Sequence, residues 1–276
     1  MITDWDAAYS NFDHVADAQS YPPKWMAKAE AYREEMESKD RFRADIRYGD
    51  GARHVADLFL PEGDPKGLVV FVHGGYWRAF DKSVFSHLAQ GCIDAGWAVG
   101  IPSYTLCPLA RVADITGEIG ASIVALADEV EGPINLTGHS AGGHLVSRMV
   151  CTDAPLPFEV QDRIERIVSI SGVHDLRPLM RTELNRTLHI DPKEADAESP
   201  CLLVPLETTP VTCWVGAAEL PEFVRQNDLL ANVWTGLGAH TRAIHAAGHH
   251  HFSVVDDLQK VDSQLVAAIT GSDGWG

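Results

Sequence analysis

Uninterrupted apolar runs punctuate the chain, and amphipathic stretches fill most of the gaps between them. Leu68-Val69-Val70-Phe71-Val72 is the clearest run. A strand with no polar alternation is one covered on both faces. Similar runs at 98–102, 134–137, 167–170, 211–215 and 241–245 predict further strands of the same kind. Helical patterns fall between or after them at 81–95, 112–131, 141–152, 222–235 and 252–269. Strands alternating with helices build βαβ units, so the class is α/β with a mostly parallel sheet and helices on both faces. Two shorter strand candidates, 44–48 and 54–60, flank Gly49-Asp50-Gly51, which reads as a hairpin turn. With this N-terminal hairpin the sheet reaches about eight strands.

Two segments lie outside that alternation. Residues 22–39 are rich in Ala, Glu, Lys, Met and Arg and predict a helix, so 1–43 reads as an N-terminal helical arm or part of a lid. Residues 174–210 carry no strand signal, only short helical pieces and a polar segment. A long insertion in a compact domain is more often functional than idle, and this one reads as a cap or pocket wall. The 276 residues suit one domain, 1–276.

Composition narrows the partners. Lys and Arg number 22 against 39 acidic residues, a formal net charge of -17. Nucleic acids and anionic membranes demand positive patches, so the expected partner is a small-molecule substrate. Cys92, Cys107, Cys151, Cys201 and Cys213 are odd in number and widely spaced, with no CxxC pair. That is neither a disulfide framework nor a metal-ligand pattern, and it points to a reducing compartment. The start, Met1-Ile2-Thr3-Asp4-Trp5-Asp6, lacks the basic and apolar regions of a signal peptide. A cytoplasmic location is therefore expected. The oligomeric state is left open, a homodimer included.

The chemistry concentrates at Gly138-His139-Ser140-Ala141-Gly142, between an apolar strand and a helix-forming stretch. This is G-x-S-x-G in the strand–turn–helix context of a nucleophile elbow, which marks the α/β-hydrolase fold. Side chains at the glycine positions would collide across so tight a turn. The helix also points free N–H groups at developing negative charge. His73-Gly74-Gly75-Tyr76-Trp77 follows the 68–72 strand and resembles an oxyanion loop. The expected donors are the N–H groups of Gly75, Tyr76 and Ala141, with His73, Gly74 and Trp77 shaping the loop. Tyr76 and Trp77 are also candidate aromatic walls for a planar substrate, although Trp77 could equally pack beneath the loop.

Ser140 needs a base and an orienting acid, in the chain order serine, acid, histidine. The histidines at 249–251 follow the last strand. His251, next to Phe252 and the final helix, is the favoured base, with His249 and His250 as alternatives. Adjacent histidines without a carboxylate or cysteine set do not suggest a metal site, and no cofactor is implied. Glu219, just beyond the 211–215 strand, is the favoured acid. Glu222, behind Pro221, suits the first turn of a helix, and Asp175 after the preceding strand is the other candidate.

Taken together, these segments resemble the kynurenine formamidases (arylformamidases), within the hormone-sensitive-lipase-like esterase branch of the α/β-hydrolases. The general esterases carry a third glycine where this chain reads His73-Gly74-Gly75-Tyr76-Trp77. Further similarity lies in Asp81-Lys82, Tyr104-Thr105-Leu106-Cys107-Pro108, Gly143-His144 after the elbow, Glu219-Leu220-Pro221-Glu222-Phe223 and His251-Phe252. The resemblance implies hydrolysis of N-formyl-kynurenine to kynurenine and formate through an acyl-enzyme, a step of tryptophan breakdown. A carboxylesterase acting on short acyl esters is the alternative, and a non-catalytic ligand-binding member of the fold is the third.

Overall fold

A computed structural model describes residues 2–275. Its centre is one eight-stranded sheet in the order β1-β2-β4-β3-β5-β6-β7-β8. The strands are β1 (Phe42–Arg47), β2 (Val55–Phe59), β3 (Leu68–Val72), β4 (Ala98–Pro102), β5 (Ile134–His139), β6 (Ile164–Ile170), β7 (Val211–Gly216) and β8 (Thr241–Ala246). β1 pairs with β2, and β2 with β4, antiparallel; every other pairing is parallel. This is the α/β-hydrolase fold expected from the sequence. The apolar runs of β3 to β7 form strands because both faces of the sheet are covered there. β8 is an edge strand with no fully buried residue, so the run at 241–245 lacks the double cover expected of it. Along β3, Leu68, Val70 and Val72 enter one core cluster while Val69 and Phe71 enter the other.

The helices are α1 (Trp5–Tyr9), α2 (Asn11–His14), α3 (Tyr21–Ser38), α4 (Gln90–Asp94), α5 (Val112–Glu129), α6 (Ala141–Arg148), α7 (Phe158–Gln161), α8 (Asn185–Leu188), α9 (Pro192–Ala197), α10 (Pro221–Gly236) and α11 (Gln264–Thr270). α5, α6 and α10 cover one face; α3, α4 and α11 cover the other. None among the described residues is long and apolar enough to cross a membrane. All five cysteines are free and buried.

Two predicted helices are interrupted. Over 81–95 the chain makes 3-10 turns at Lys82–Val84 and Ser86–Ala89 before α4 begins. The Asp81 carboxylate takes the Ser83 N–H at 3.0 Å and the Ser103 hydroxyl at 3.0 Å, which closes a tight turn. Lys82 is drawn into the sheet, its Nζ 2.6 Å from buried Asp57 on β2 and 2.9 Å from Asp45. Burial raises the Asp57 pKa, with Lys82 opposing the rise, while the carboxylates hold the Lys82 ammonium above its usual value. The final stretch is likewise divided, into a 3-10 segment at Ser253–Gln259 and α11. The Ser263 hydroxyl caps α11 at the Val266 N–H, 3.1 Å away, and donates back to the Asp257 carbonyl.

The 174–210 stretch contains α8, α9 and 3-10 turns, with no strand longer than a bridge from Pro205 to Cys151. It is fastened to α5 and α6. Arg111 binds Glu194 at 2.6 Å and Asp191 at 2.9 Å, and Arg148 binds Glu198 at 3.1 Å.

Candidate active site

Because β3 and β5–β8 run parallel, their carboxyl ends open along one edge of the sheet, where α/β folds place their ligands. β5 stops at His139 and α6 starts at Ala141, so Ser140 alone makes the turn, at φ 56° and ψ -116°. A non-glycine residue holds that conformation only when its surroundings over-determine it. Here the Ser140 N–H is fixed on the Ile170 carbonyl of β6 at 2.8 Å. The flanking glycines have no room for a side chain. A Cβ on Gly138 would lie 2.3 Å from the Gly142 carbonyl oxygen, and one on Gly142 only 1.9 Å from that of Val72. The Ser140 hydroxyl has no hydrogen-bond partner among the described residues, and Ser140 borders a cavity of about 870 Å³.

His251 borders the same cavity. Its Nδ1 donates to Glu219 Oε2 at 2.7 Å, both side chains being buried. The other carboxylate oxygen, Oε1, accepts the Gly216 N–H at 2.8 Å and the Ser171 hydroxyl at 2.5 Å. With Nδ1 carrying the proton, Nε2 is left as a lone pair with no protein partner among the described residues. The imidazole lies 4.6 Å from the ring of His139 and 4.5 Å from that of Phe223. His139 in turn donates from Nε2 to the His251 carbonyl at 2.9 Å.

The alternatives point elsewhere. His249 donates to the Ser253 carbonyl at 3.0 Å, and His250 lies 3.3 Å from the Tyr21 hydroxyl. Asp175 is bound to Arg177 at 2.8 Å. Glu222 is a first-turn residue of α10 and accepts from Tyr9 and Arg225. Ser171 is a site residue that the pattern reading does not single out. Its one signal is a Ser-Gly pair directly after an apolar strand.

The loop after β3 has three successive positive φ angles: Gly75 at 109°, Tyr76 at 48° and Trp77 at 54°. Neither the Gly75 nor the Tyr76 N–H is bonded to protein among the described residues, and Ala141, first in α6, has no intrahelical partner for its own. These are the three groups expected as donors. His73 is buried beneath them, its ring stacked 4.4 Å from that of Tyr104 and its Nδ1 on the Gly74 carbonyl at 2.8 Å. Gly74 lies so close to the elbow that a Cβ would stand 3.0 Å from that of Ser140.

Trp77 corrects the expectation of two aromatic walls. It is fully buried, edge-on to His144 at 5.1 Å, and does not line the cavity. Its positive φ turns the side chain back under the loop, into the space beside α6. Tyr76 does line the cavity, and the other aromatic walls come from Tyr9, Phe12, Trp25, Phe80, Phe85 and Phe252. Three of these belong to the N-terminal arm. From 174–210, Glu183 and Leu184 reach the cavity.

Burial depresses the histidines behind the site. His144 and His174 are pushed down to about 3, and His73 to about 4. They stay neutral in the folded protein, while the unfolded chain takes up protons as pH falls through about 6.5. The stability they supply is therefore complete above that value and is lost below it, by up to about 1.4 kcal/mol per pH unit for each histidine. The urea midpoint is expected to hold between pH 8 and 7 and to fall from pH 6.5 to 5. A flat midpoint down to pH 5 would contradict this.

Residues 56–212, more than half of the chain, match the family model BD-FAE. The kynurenine formamidase of Danio rerio is 26% identical over 223 residues, covering 78% of this chain and 76% of that protein. That of Drosophila melanogaster is 26% identical over an alignment of 287 residues, covering 95% and 94%. A crystal structure from Silicibacter sp. tm1040, described as a candidate thioesterase, superposes with a TM-score of 0.92 at 48% identity. It covers 97% of this chain and 99% of that one.

Proposed function

The chain belongs to the BD-FAE family and is a hydrolase, and we propose that it is a serine hydrolase cleaving aryl formamides, N-formyl-kynurenine foremost. The observation that carries the reading is the 2.7 Å bond from His251 to Glu219, with His251 bordering the same cavity as a strained Ser140 whose hydroxyl has no partner among the described residues. The lone pair on His251 Nε2 takes the Ser140 proton as Oγ attacks the formyl carbon. The N–H groups of Gly75, Tyr76 and Ala141 stabilise the oxyanion. Collapse of the tetrahedral adduct breaks the C–N bond, and the proton on His251 passes to the departing arylamine. Water then attacks the formyl-serine with His251 as base; formate leaves and Ser140 recovers its proton. Glu219 fixes the tautomer of His251 and offsets its transient positive charge.

A formyl group is the smallest acyl unit, so selectivity falls to the leaving-group side. The aromatic rings around the cavity suit a planar aniline, and the two formamidase relatives support that choice. Residues 1–43 and 174–210 act in this reading as the walls around the leaving group, within a single domain. Hydrolysis of short acyl esters or thioesters is the second reading, favoured by the likeness to the Silicibacter protein at 48% identity.

The test compares kcat/KM on N-formyl-kynurenine, p-nitrophenyl acetate and a short acyl thioester, with mass mapping of an aryl phosphonate adduct. The formamide is expected to be preferred, with the adduct on Ser140. A preference for the ester or thioester replaces the first reading with the second. An adduct mapped elsewhere removes the serine mechanism from both.

A further inference from the structure

We propose that Tyr76 and Tyr9 are positioning residues, through which the N-terminal segment holds the oxyanion loop and the acid loop in register. The inference rests on the serine mechanism above. Its starting point is the strain in the loop after β3. Glycine tolerates a positive φ, but Tyr76 and Trp77 do so only against a steric cost. Trp77 has its own anchors: a fully buried ring, and a carbonyl that accepts the Cys107 N–H at 2.8 Å. Among the described residues, the only hydrogen bond made by the Tyr76 side chain is the one its hydroxyl donates to the Tyr9 carbonyl at 2.7 Å. The peptide whose N–H is assigned to the oxyanion is held on its carbonyl side, where Gly75 accepts the Arg78 and Ala79 N–H groups at 3.0 and 3.1 Å, and the Tyr76 hydroxyl adds the anchor on the side-chain side.

The bond continues into a chain. Tyr9 is buried, and its own hydroxyl donates to Glu222 Oε1 at 2.6 Å while accepting from Gln226 Nε2 at 3.1 Å. Gln226 Oε1 takes the N–H groups of His174 and Asp175, at 2.9 and 2.8 Å, in the loop after β6. Glu222 stands in the first turn of α10, three residues beyond Glu219. The rest of the segment repeats the pattern. His14 Nε2 donates to the carbonyl of Ala218, next to Glu219, at 3.1 Å. Phe12 and Tyr21 pack on Phe252, next to His251, with centroids at 4.9 and 5.5 Å. One short segment thus touches the oxyanion loop and the chain neighbours of both the acid and the base. A roof serving only to exclude water would not need buried hydroxyls directed at these particular loops.

Oxyanion donors act over a narrow range of distance, and small misplacements in a site cost disproportionately in rate. The experiment uses the full chain, its best substrate, and Tyr76→Phe, Tyr9→Phe and the double variant. Tyr76→Phe is expected to lower kcat about 10- to 100-fold, with KM changed less than about threefold. The inhibition constant of an arylboronic acid, which forms a tetrahedral adduct on the serine, should rise in step with the loss in kcat. Tyr9→Phe should act in the same direction but less, since the carbonyl that holds Tyr76 belongs to the main chain. The double variant should lose less than the product of the two single losses, because both act through one relay. Unchanged kcat and boronate inhibition in folded Tyr76→Phe overturn the proposal. So does a shift in thermal midpoint alone. If Tyr76→Phe does not fold, Tyr9→Phe decides on the same two readouts. Absence of a phosphonate adduct on wild-type Ser140 would instead fault the underlying mechanism, and is read separately.

Discussion

Replacing Ser140 with alanine is expected to lower kcat/KM by about 10⁴- to 10⁶-fold, as removal of a nucleophile does in other triad enzymes. The fold should be nearly untouched. The Ser140 hydroxyl has no partner among the described residues, so its removal leaves no buried group unsatisfied, and the stability change should stay within about 0.5 kcal/mol. The strained backbone angles remain, because they are imposed by the Ile170 carbonyl and the crowding at Gly138 and Gly142 rather than by the hydroxyl. His251→Ala provides the contrast. Its loss of activity should be similar, and the double variant should be little worse than either single one, since the two act as a unit. It should also lose stability, because Glu219 would keep only the donors from Ser171 and Gly216 on one oxygen. Steady-state kinetics and thermal melts of the three variants check both halves. More than a tenth of wild-type activity in Ser140→Ala would sink the assignment.

Gly142→Ala should do more damage than its size suggests. The added methyl would sit 1.9 Å from the Val72 carbonyl oxygen and 2.6 Å from its carbon, with the His73 carbonyl at 2.9 Å. All three are main-chain atoms in the centre of the sheet, with no flexible tip to swing aside. Overpacking a core costs typically about 1–3 kcal/mol where side chains can adjust, and this site should exceed that range. Soluble yield and thermal midpoint are expected to collapse, and activity with them. Gly117→Ala is the control. It lies in α5 with nothing within 4 Å of its Cβ position, and it should gain about 0.5–1 kcal/mol from helix propensity. Equal midpoints for the two variants would show that the close approach at the elbow is not rigid.

The legible parts of the molecule were those in which local pattern and global placement coincide. The apolar runs of β3 to β7 reveal their double burial directly. The triad candidates could be ordered because each follows a strand in a parallel sheet. Trp77 was ambiguous for a physical reason: an aromatic residue beside two glycines reads the same whether it faces a ligand or the core. The break within 81–95 depends on where two side chains, Asp81 and Lys82, find their partners, and helix-like composition carries no trace of that. Least legible was the role of the N-terminal arm. Trp5, Tyr9 and Phe12 are too sparse for periodicity, and their contacts lie at the far end of the chain.

The separation between Tyr9 and Glu222 also bears on the order of assembly during synthesis. These partners lie 213 residues apart, and His14 and Ala218 lie 204 apart. Closing so long a loop carries an entropic cost that is recovered only when both ends can pack. Tyr9 and His14 therefore lack these partners until the chain has been made through α10. The sheet can form around β3 and β5 well before then, but the roof of the cavity closes last. A nascent chain stalled before β7 would hold the elbow serine and the oxyanion loop without the acid or the base, and would be unable to turn over substrate.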